Sequence, residues 1–159
     1  MDKQTPIKYE FSSKGDLFDL TFRITENCNY GCSYCSYYTN KKGITHTKIE
    51  DKVVEFIDRE LSDRRIRLCI YGGEPTLHPE LISICKKLGS RVEQFGIQTN
   101  LTIPTDQLTQ LIEAVPNLYF IPTYHTERVK DPKLFWRNML TIRKNKRLWH
   151  CAFLLPMKT

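Results

Sequence analysis

Glycine and proline are scarce, at seven and eight in 159 residues, and nowhere do they gather with serine into a linker. That absence excludes tethered modules, and the length suits one domain with a core of its own. No repeat at a solenoid period and no low-complexity tract is present. Long apolar runs are missing too. The longest, near CAFLLPM at 151–157, falls far short of the roughly 20 residues a membrane-crossing helix needs. The N-terminal MDKQTPIKYEF carries charges where a secretory signal has its apolar block, so a cytoplasmic location and no membrane partner are expected. In a reducing compartment the six cysteines are then thiols or metal ligands rather than a disulfide framework. Acidic residues are the scarcer charge, 18 against 24 Lys and Arg, and the deficit is local. After residue 126 nine basic residues face two acidic ones, whereas the earlier part holds fifteen against sixteen. A basic C-terminal segment could face a phosphorylated or nucleic-acid substrate, or be a solvated helix face.

What is there is alternation. DLFDLTFRIT (16–25) alternates apolar and polar residues like a half-buried strand, IEDKVVEFIDREL (49–61) has apolar residues at helical spacing, and RLCIY (67–71) is a short apolar strand ending in Gly72 and Gly73. HPELISICKKLG (78–89) reads as a helix with Pro79 near its first turn and Gly89 at its end. QFGIQ (94–98) reads as a strand, and TDQLTQLIEAV (105–115) as a helix capped by Thr105. Strand LYFIPTY (118–124), helix DPKLFWRNMLTIRK (131–144) and strand LWHCAFLL (148–155) complete the run. Strand-helix alternation predicts an α/β fold with a parallel sheet, open or curled into a barrel, and a site at the C-terminal ends of its strands.

The unusual residues fall at those ends. Cys28, Cys32 and Cys35 follow the first strand directly as C-x3-C-x2-C, in the stretch CNYGCSYC, where Gly31 lets the backbone fold tightly. A structural zinc site wants four ligands, and neither a second C-x2-C nor a nearby pair of histidines closes this one. Three thiolates on a cubane iron-sulfur cluster leave one iron open, and an open iron is what a substrate-binding metal site requires.

With Tyr34 as the aromatic residue before the last cysteine, this loop resembles the C-x3-C-x-aromatic-C signature of the radical S-adenosylmethionine (radical SAM) superfamily. A second, independent match is YGGEP at 71–75, after the second strand, which is similar to that family's Gly-Gly-Glu-Pro motif; QTN at 98–100 is a third. Each residue type has a reason there. Gly72 and Gly73 would let an amino acid lie against bare backbone. Pro75 would bias Glu74 toward an extended conformation, and carbonyls with the Glu74 carboxylate could accept from an ammonium group. The resemblance covers residues 17–126 and implies a partial (β/α) barrel of about five parallel strand-helix units, without the sixth unit usual in the family. It implies a [4Fe-4S] cluster on Cys28, Cys32 and Cys35, and SAM held by Gly72, Gly73, Glu74 and Pro75. The enzyme it implies cleaves SAM reductively to a 5'-deoxyadenosyl radical that abstracts a substrate hydrogen, with electrons from an external donor of flavodoxin or ferredoxin type. On the same basis Tyr34 contacts the adenine, and Asn100 lies near the SAM carboxylate or sulfonium.

Other residues are read as follows. His125 and Tyr124 end the fourth strand, where such enzymes place ribose- or substrate-contacting groups, although a lone strand-end histidine is more often structural. Cys69, Cys85 and Cys151 behave as small hydrophobes, and Tyr30, Tyr37 and Tyr38 shield the cluster. No glycine-containing adenine motif is recognisable in HCAFLLPMKT. The style of the motifs suggests a peptide or protein substrate. The competing class is a degenerate or zinc-binding module acting as an interaction domain. A fifth strand with no neighbour would offer an open edge for self-association.

Overall fold

The computed structural model describes residues 17–35 and 49–154. Its strands are β1 (Leu17–Thr25), β2 (Arg65–Gly72), β3 (Gln94–Thr99), β4 (Leu118–His125) and β5 (Ala152–Leu154), and its helices are α1 (Ile49–Glu60), α2 (Leu81–Gly89), α3 (Thr105–Ala114) and α4 (Pro132–Lys144). The strands form one sheet in the order β1-β2-β3-β4-β5, and every pairing is parallel. The α/β class and the five parallel strands are therefore as expected, with four helices between them among the described residues.

The register explains why the sheet has two unlike faces. Leu68 pairs with Phe95, Ile70 with Ile97 and Ile97 with Phe120, so these side chains share one face. All are fully buried, and they join Leu81, Ile84, Cys85 and Leu88 of α2, Leu108 and Leu111 of α3, and Phe135 and Ile142 of α4 in one core. The α2 set recurs at i, i+3, i+4 and i+7, the stripe that lets a helix lie flat on a sheet. Burying each large aliphatic or aromatic side chain stabilises the fold by about 1.5–3 kcal/mol. Phe120→Ala, at the centre, costs about 3–5 kcal/mol.

The opposite face carries the alternate residues. Arg23 pairs with Tyr71 and Gln98 with Ile121, and Arg67, Cys69 and Tyr119 belong to the same face. Near its lower end the Trp149 indole sits over Gly96, where an added Cβ would come within 3.1 Å of the ring. The Arg67 guanidinium lies 5.5 Å from the Trp149 ring centroid and donates from Nε and Nη2 to the two Asp19 carboxylate oxygens. A parallel sheet is normally covered on both faces. Here, among the described residues, one face is polar and aromatic.

Three local expectations are corrected. The last strand was expected over 148–155, but only Ala152–Leu154 joins the ladder. Leu148 makes an isolated bridge to Phe120, and Trp149 donates its N–H to the Phe120 carbonyl before its side chain turns over Gly96; Leu155 lies outside the described residues. Thr105 does not cap α3. It is the first helical residue, behind Pro104, and its hydroxyl donates to the Asn138 amide oxygen at 2.8 Å. Asn138, fully buried on α4, donates in turn to the carbonyls of Leu101 and Ile103. Pro79 precedes α2, which starts at Leu81, and a single 3-10 turn over Pro75–Leu77 comes earlier still. The α4 start follows ordinary capping chemistry: the Asp131 carboxylate accepts the Leu134 N–H at 2.9 Å, with Pro132 behind it.

Candidate active site at the C-terminal ends of the strands

The cysteine loop and the Gly-Gly-Glu-Pro segment meet side by side because β1 and β2 are neighbours. Gly73 donates its N–H to the Thr25 carbonyl at 2.8 Å, and Glu74 donates to the Asn27 carbonyl at 2.7 Å. This pairing revises the reason for the glycines. A Cβ on Gly72 would stand 2.2 Å from the Thr25 carbonyl oxygen, and one on Gly73 would stand 2.2 Å from that of Asn27. What lies against the bare backbone of Gly72 and Gly73 is the start of the chain's own cysteine loop.

Glu74 is extended (φ −132, ψ 106) and precedes Pro75, as expected, and Pro75 starts the 3-10 turn. Its carboxylate, however, is 1% exposed and heavily engaged. Oε1 accepts from Thr76 N–H (3.1 Å), Thr76 Oγ1 (2.6 Å) and Thr99 Oγ1 (2.7 Å), and Oε2 accepts from Asn100 N–H (2.7 Å). Burial pushes its pKa up, and these hydrogen bonds pull against that shift. The carboxylate expected to accept from an ammonium group is thus already held by donors of the chain itself. Glu74 is first a bracket between the ends of β2 and β3, with Oε2 the less occupied oxygen.

Asn100 extends the bracket to the cysteine loop. Its Nδ2 donates to Asn29 Oδ1 (2.8 Å), Asn29 Nδ2 donates to Thr102 Oγ1 (2.7 Å), and that hydroxyl donates to Asn100 Oδ1 (2.7 Å). The three side chains close a ring. Leu101, next to Asn100, has φ 57, and its side chain is 1% exposed. A left-handed leucine costs about 1–3 kcal/mol. The turn lets the Asn100 N–H reach Glu74 while its side chain reaches Asn29 and the Thr102 N–H (3.1 Å). A small cleft of about 90 Å³, open to solvent, lies beside this ring and is walled by Tyr30, Lys130, Leu134 and Phe135.

Cys32 is buried whereas Cys28 and Cys35 are exposed. Cys35 donates its N–H to the Cys32 carbonyl at 3.1 Å, and Tyr30 donates its N–H to Cys28 Sγ at 3.4 Å. Burial raises the pKa of Cys28 and of Cys32; Glu74 and the other two thiols add to the first, Cys35 and Glu127 to the second. The thiols are near enough to sense one another. Among the described residues, though, no three His, Cys, Asp or Glu side chains converge on a metal-binding point. As a donor set, three soft sulfurs on one loop with a backbone N–H directed at one of them suit iron-sulfur ligation.

Tyr34 faces the end of β4. Its hydroxyl is 3.0 Å from His125 Nδ1 and the two rings are parallel within 2°, while Cys32 Sγ lies 3.5 Å from the same nitrogen. Tyr30 meets the His125 ring edge-on at 5.6 Å. Burial lowers the His125 pKa, opposed by Glu127. Tyr124 does not accompany His125. It points to the helix side against Phe135, Trp136 and Phe153. Cys85 is buried in the core as expected, and burial pushes its thiol far up. Cys69 is half-buried on the polar and aromatic face instead, and Cys151 is half-buried too. Tyr37 and Tyr38, expected to shield the loop, lie outside the described residues.

Comparison with known proteins decides the family. A profile described as the Radical SAM superfamily matches residues 22–139. The chain belongs to the radical SAM superfamily. Radical SAM enzymes use a [4Fe-4S] cluster and SAM. A GTP 3',8-cyclase from Listeria welshimeri is 28% identical over 112 residues, 68% of this chain and 33% of the relative. A 7-carboxy-7-deazaguanine synthase from Halobacterium salinarum is 30% identical over 130 residues, 79% of this chain and 48% of the relative. The chain thus spans between a third and a half of these two radical SAM relatives. A solved structure of BtrN in complex with AdoMet and 2-DOIA superposes with a TM-score of 0.66 over 85% of this chain and 56% of that one; at 16% identity it shows the shared radical SAM fold. Among the described residues no helix is long and apolar enough to cross a membrane.

Sequence reading had missed Asn29, Thr76, Thr99, Thr102 and Glu127, which tie the loops together. The Thr99-Asn100 pair and the Asn29 inside the cysteine motif were visible as strand-end polar residues. Their partners lie 71–73 residues away for Asn29 and 94 for Glu127, beyond what spacing along one element can show.

Proposed function

We propose that this chain is the cofactor-binding core of a radical SAM enzyme, with Cys28, Cys32 and Cys35 ligating a [4Fe-4S] cluster and the segment Gly72–Pro75 receiving the amino end of SAM. The observation that supports this reading is the interlock of the two motifs through Gly73 to Thr25 and Glu74 to Asn27, one residue before Cys28. When bound, the cluster supplies the electron that cleaves SAM, and an external flavodoxin- or ferredoxin-type donor would supply it to the cluster.

The chain's own residues bind, orient and exclude water. Backbone carbonyls at Gly72 and Gly73 and the less occupied Oε2 of Glu74 are the acceptors for an ammonium group. Asn100 offers its amide at the same edge. Tyr30 and Tyr34 flank the loop beside His125, and Tyr34 is the residue that would meet the adenine.

For the substrate, a purine-type small molecule is favoured over the peptide expected from the motif style. The two relatives are named for GTP and for a deazaguanine, and that shared purine chemistry is what supports the reading. Anaerobic reconstitution with iron and sulfide tests the core of the proposal. A broad absorption near 400 nm that bleaches with dithionite is expected, together with a change in the reduced cluster's EPR spectrum when SAM is added. A colourless protein holding zinc would overturn it.

A further inference from the structure

Glu127 lies two residues past the end of β4 and belongs to neither motif. Its Oε1 accepts the backbone N–H of Ser33 at 3.1 Å and the Ser33 hydroxyl at 3.2 Å. Ser33 stands between Cys32 and Cys35, so one carboxylate oxygen fastens the middle of the cysteine loop to the turn after β4. That turn is well built: Arg128 and Val129 both donate their N–H groups to the His125 carbonyl, at 2.9 and 3.0 Å. Arg128 Nε is 3.5 Å from the same Glu127 oxygen, so the carboxylate has one cation at its side. The clamp is also complementary to the Asn29 ring. Asn29 ties the loop to β3 and Glu127 ties it to β4, so the loop is held on either side of Cys32.

We propose that Glu127 is a positioning residue that places the turn between Cys32 and Cys35 and, through its negative charge, lowers the reduction potential of the iron-sulfur cluster on that loop. The inference rests on the cluster reading above. Two physical effects act in one direction. A carboxylate beside the cluster opposes the arrival of an electron, and by engaging the Ser33 N–H and hydroxyl it withholds two donors that could otherwise stabilise the reduced cluster through its sulfurs. A lower potential makes the reduced cluster a stronger reductant.

Glu127→Gln and Glu127→Ala separate clamp from charge, because the Gln amide oxygen can still accept from Ser33 whereas Ala cannot. The first measurement needs no cluster: amide hydrogen exchange at Ser33 in the metal-free protein should speed up in the Ala variant and stay near wild type in the Gln variant. The second uses reconstituted protein. The Ala variant should lose iron to a chelator roughly tenfold faster, the range for removing a supporting partner, while the Gln variant keeps its iron and shows a less negative midpoint potential. Should the Ala variant fold poorly, Ser33→Ala removes one of the two hydrogen bonds and should fall between wild type and Ala in iron loss. Unchanged Ser33 exchange in the Ala variant overturns the clamp, and an unchanged potential in the Gln variant overturns the charge effect. A wild type that takes up no cluster sinks the cluster reading and the redox half with it, while exchange still judges the clamp.

Discussion

The two loops of the site are built on opposite plans. In the Gly-Gly-Glu-Pro segment Glu74 and Pro75 are buried, and the Glu74 carboxylate takes four donors from two strand ends. The cysteine loop leaves Cys28 and Cys35 exposed and is held by side chains reaching in from β3 and β4. One half is preorganised by folding, and the other is fastened at its flanks while its sulfurs stay spread. Ligand-binding segments are drawn from the less stable parts of a fold. The difference locates where a bound cofactor would add stability, namely the cysteine loop.

Substitutions sharpen or break that contrast. Gly73→Val should have the largest effect, because even its Cβ would lie 2.2 Å from the Asn27 carbonyl, so β1 and β2 must part. A loss above about 3 kcal/mol in chemical denaturation is expected for such backbone overlap. A Gly73→Val protein as stable as wild type would break the account of the glycines. Glu74→Ala comes next, at about 3 kcal/mol, since Thr99 and Asn100 are left with buried donors and no acceptor. Its signature is loss of stability in the metal-free protein, which a residue acting only on SAM would not produce.

Asn29→Ala should cost only about 1 kcal/mol, because the ring it opens is part-exposed. Its larger expression should be faster hydrogen exchange in the cysteine loop with none in β2. Cys28→Ala and Cys35→Ala should leave metal-free stability within about 0.5 kcal/mol, as exposed substitutions do, yet abolish iron uptake. Cys69→Ala and Cys151→Ala should leave iron content unchanged. The smallest effect concerns the far edge, where Trp136, Leu140 and Phe153 are exposed at the sheet's last strand. Trp136→Glu combined with Phe153→Glu should shift any concentration-dependent association seen by sedimentation toward monomer without touching the cofactor site.

Much of this was legible in the chain itself. Alternating apolar residues announced β1 to β4, and helical spacing announced all four helices, because period is a local property that burial on one face imposes. The cysteine and Gly-Gly-Glu-Pro motifs announced the family and the edge of the sheet to examine. Local spacing misled where a residue's partner lay elsewhere. Thr105 looked like a cap but is spent on Asn138, and Trp149 looked like strand but turns over Gly96.

The sequence by itself determined where β1 to β4 and the four helices lie, and that the cysteine and Gly-Gly-Glu-Pro motifs follow β1 and β2. Tertiary structure alone decided that the glycines make room for Thr25 and Asn27, that Glu74 is a buried bracket, and that Asn29 and Glu127 hold the cysteine loop from two strands. The reason is physical. Periodicity and motif chemistry act over a few residues, whereas a hydrogen bond between strand ends depends on register, and register is settled only when the whole sheet packs.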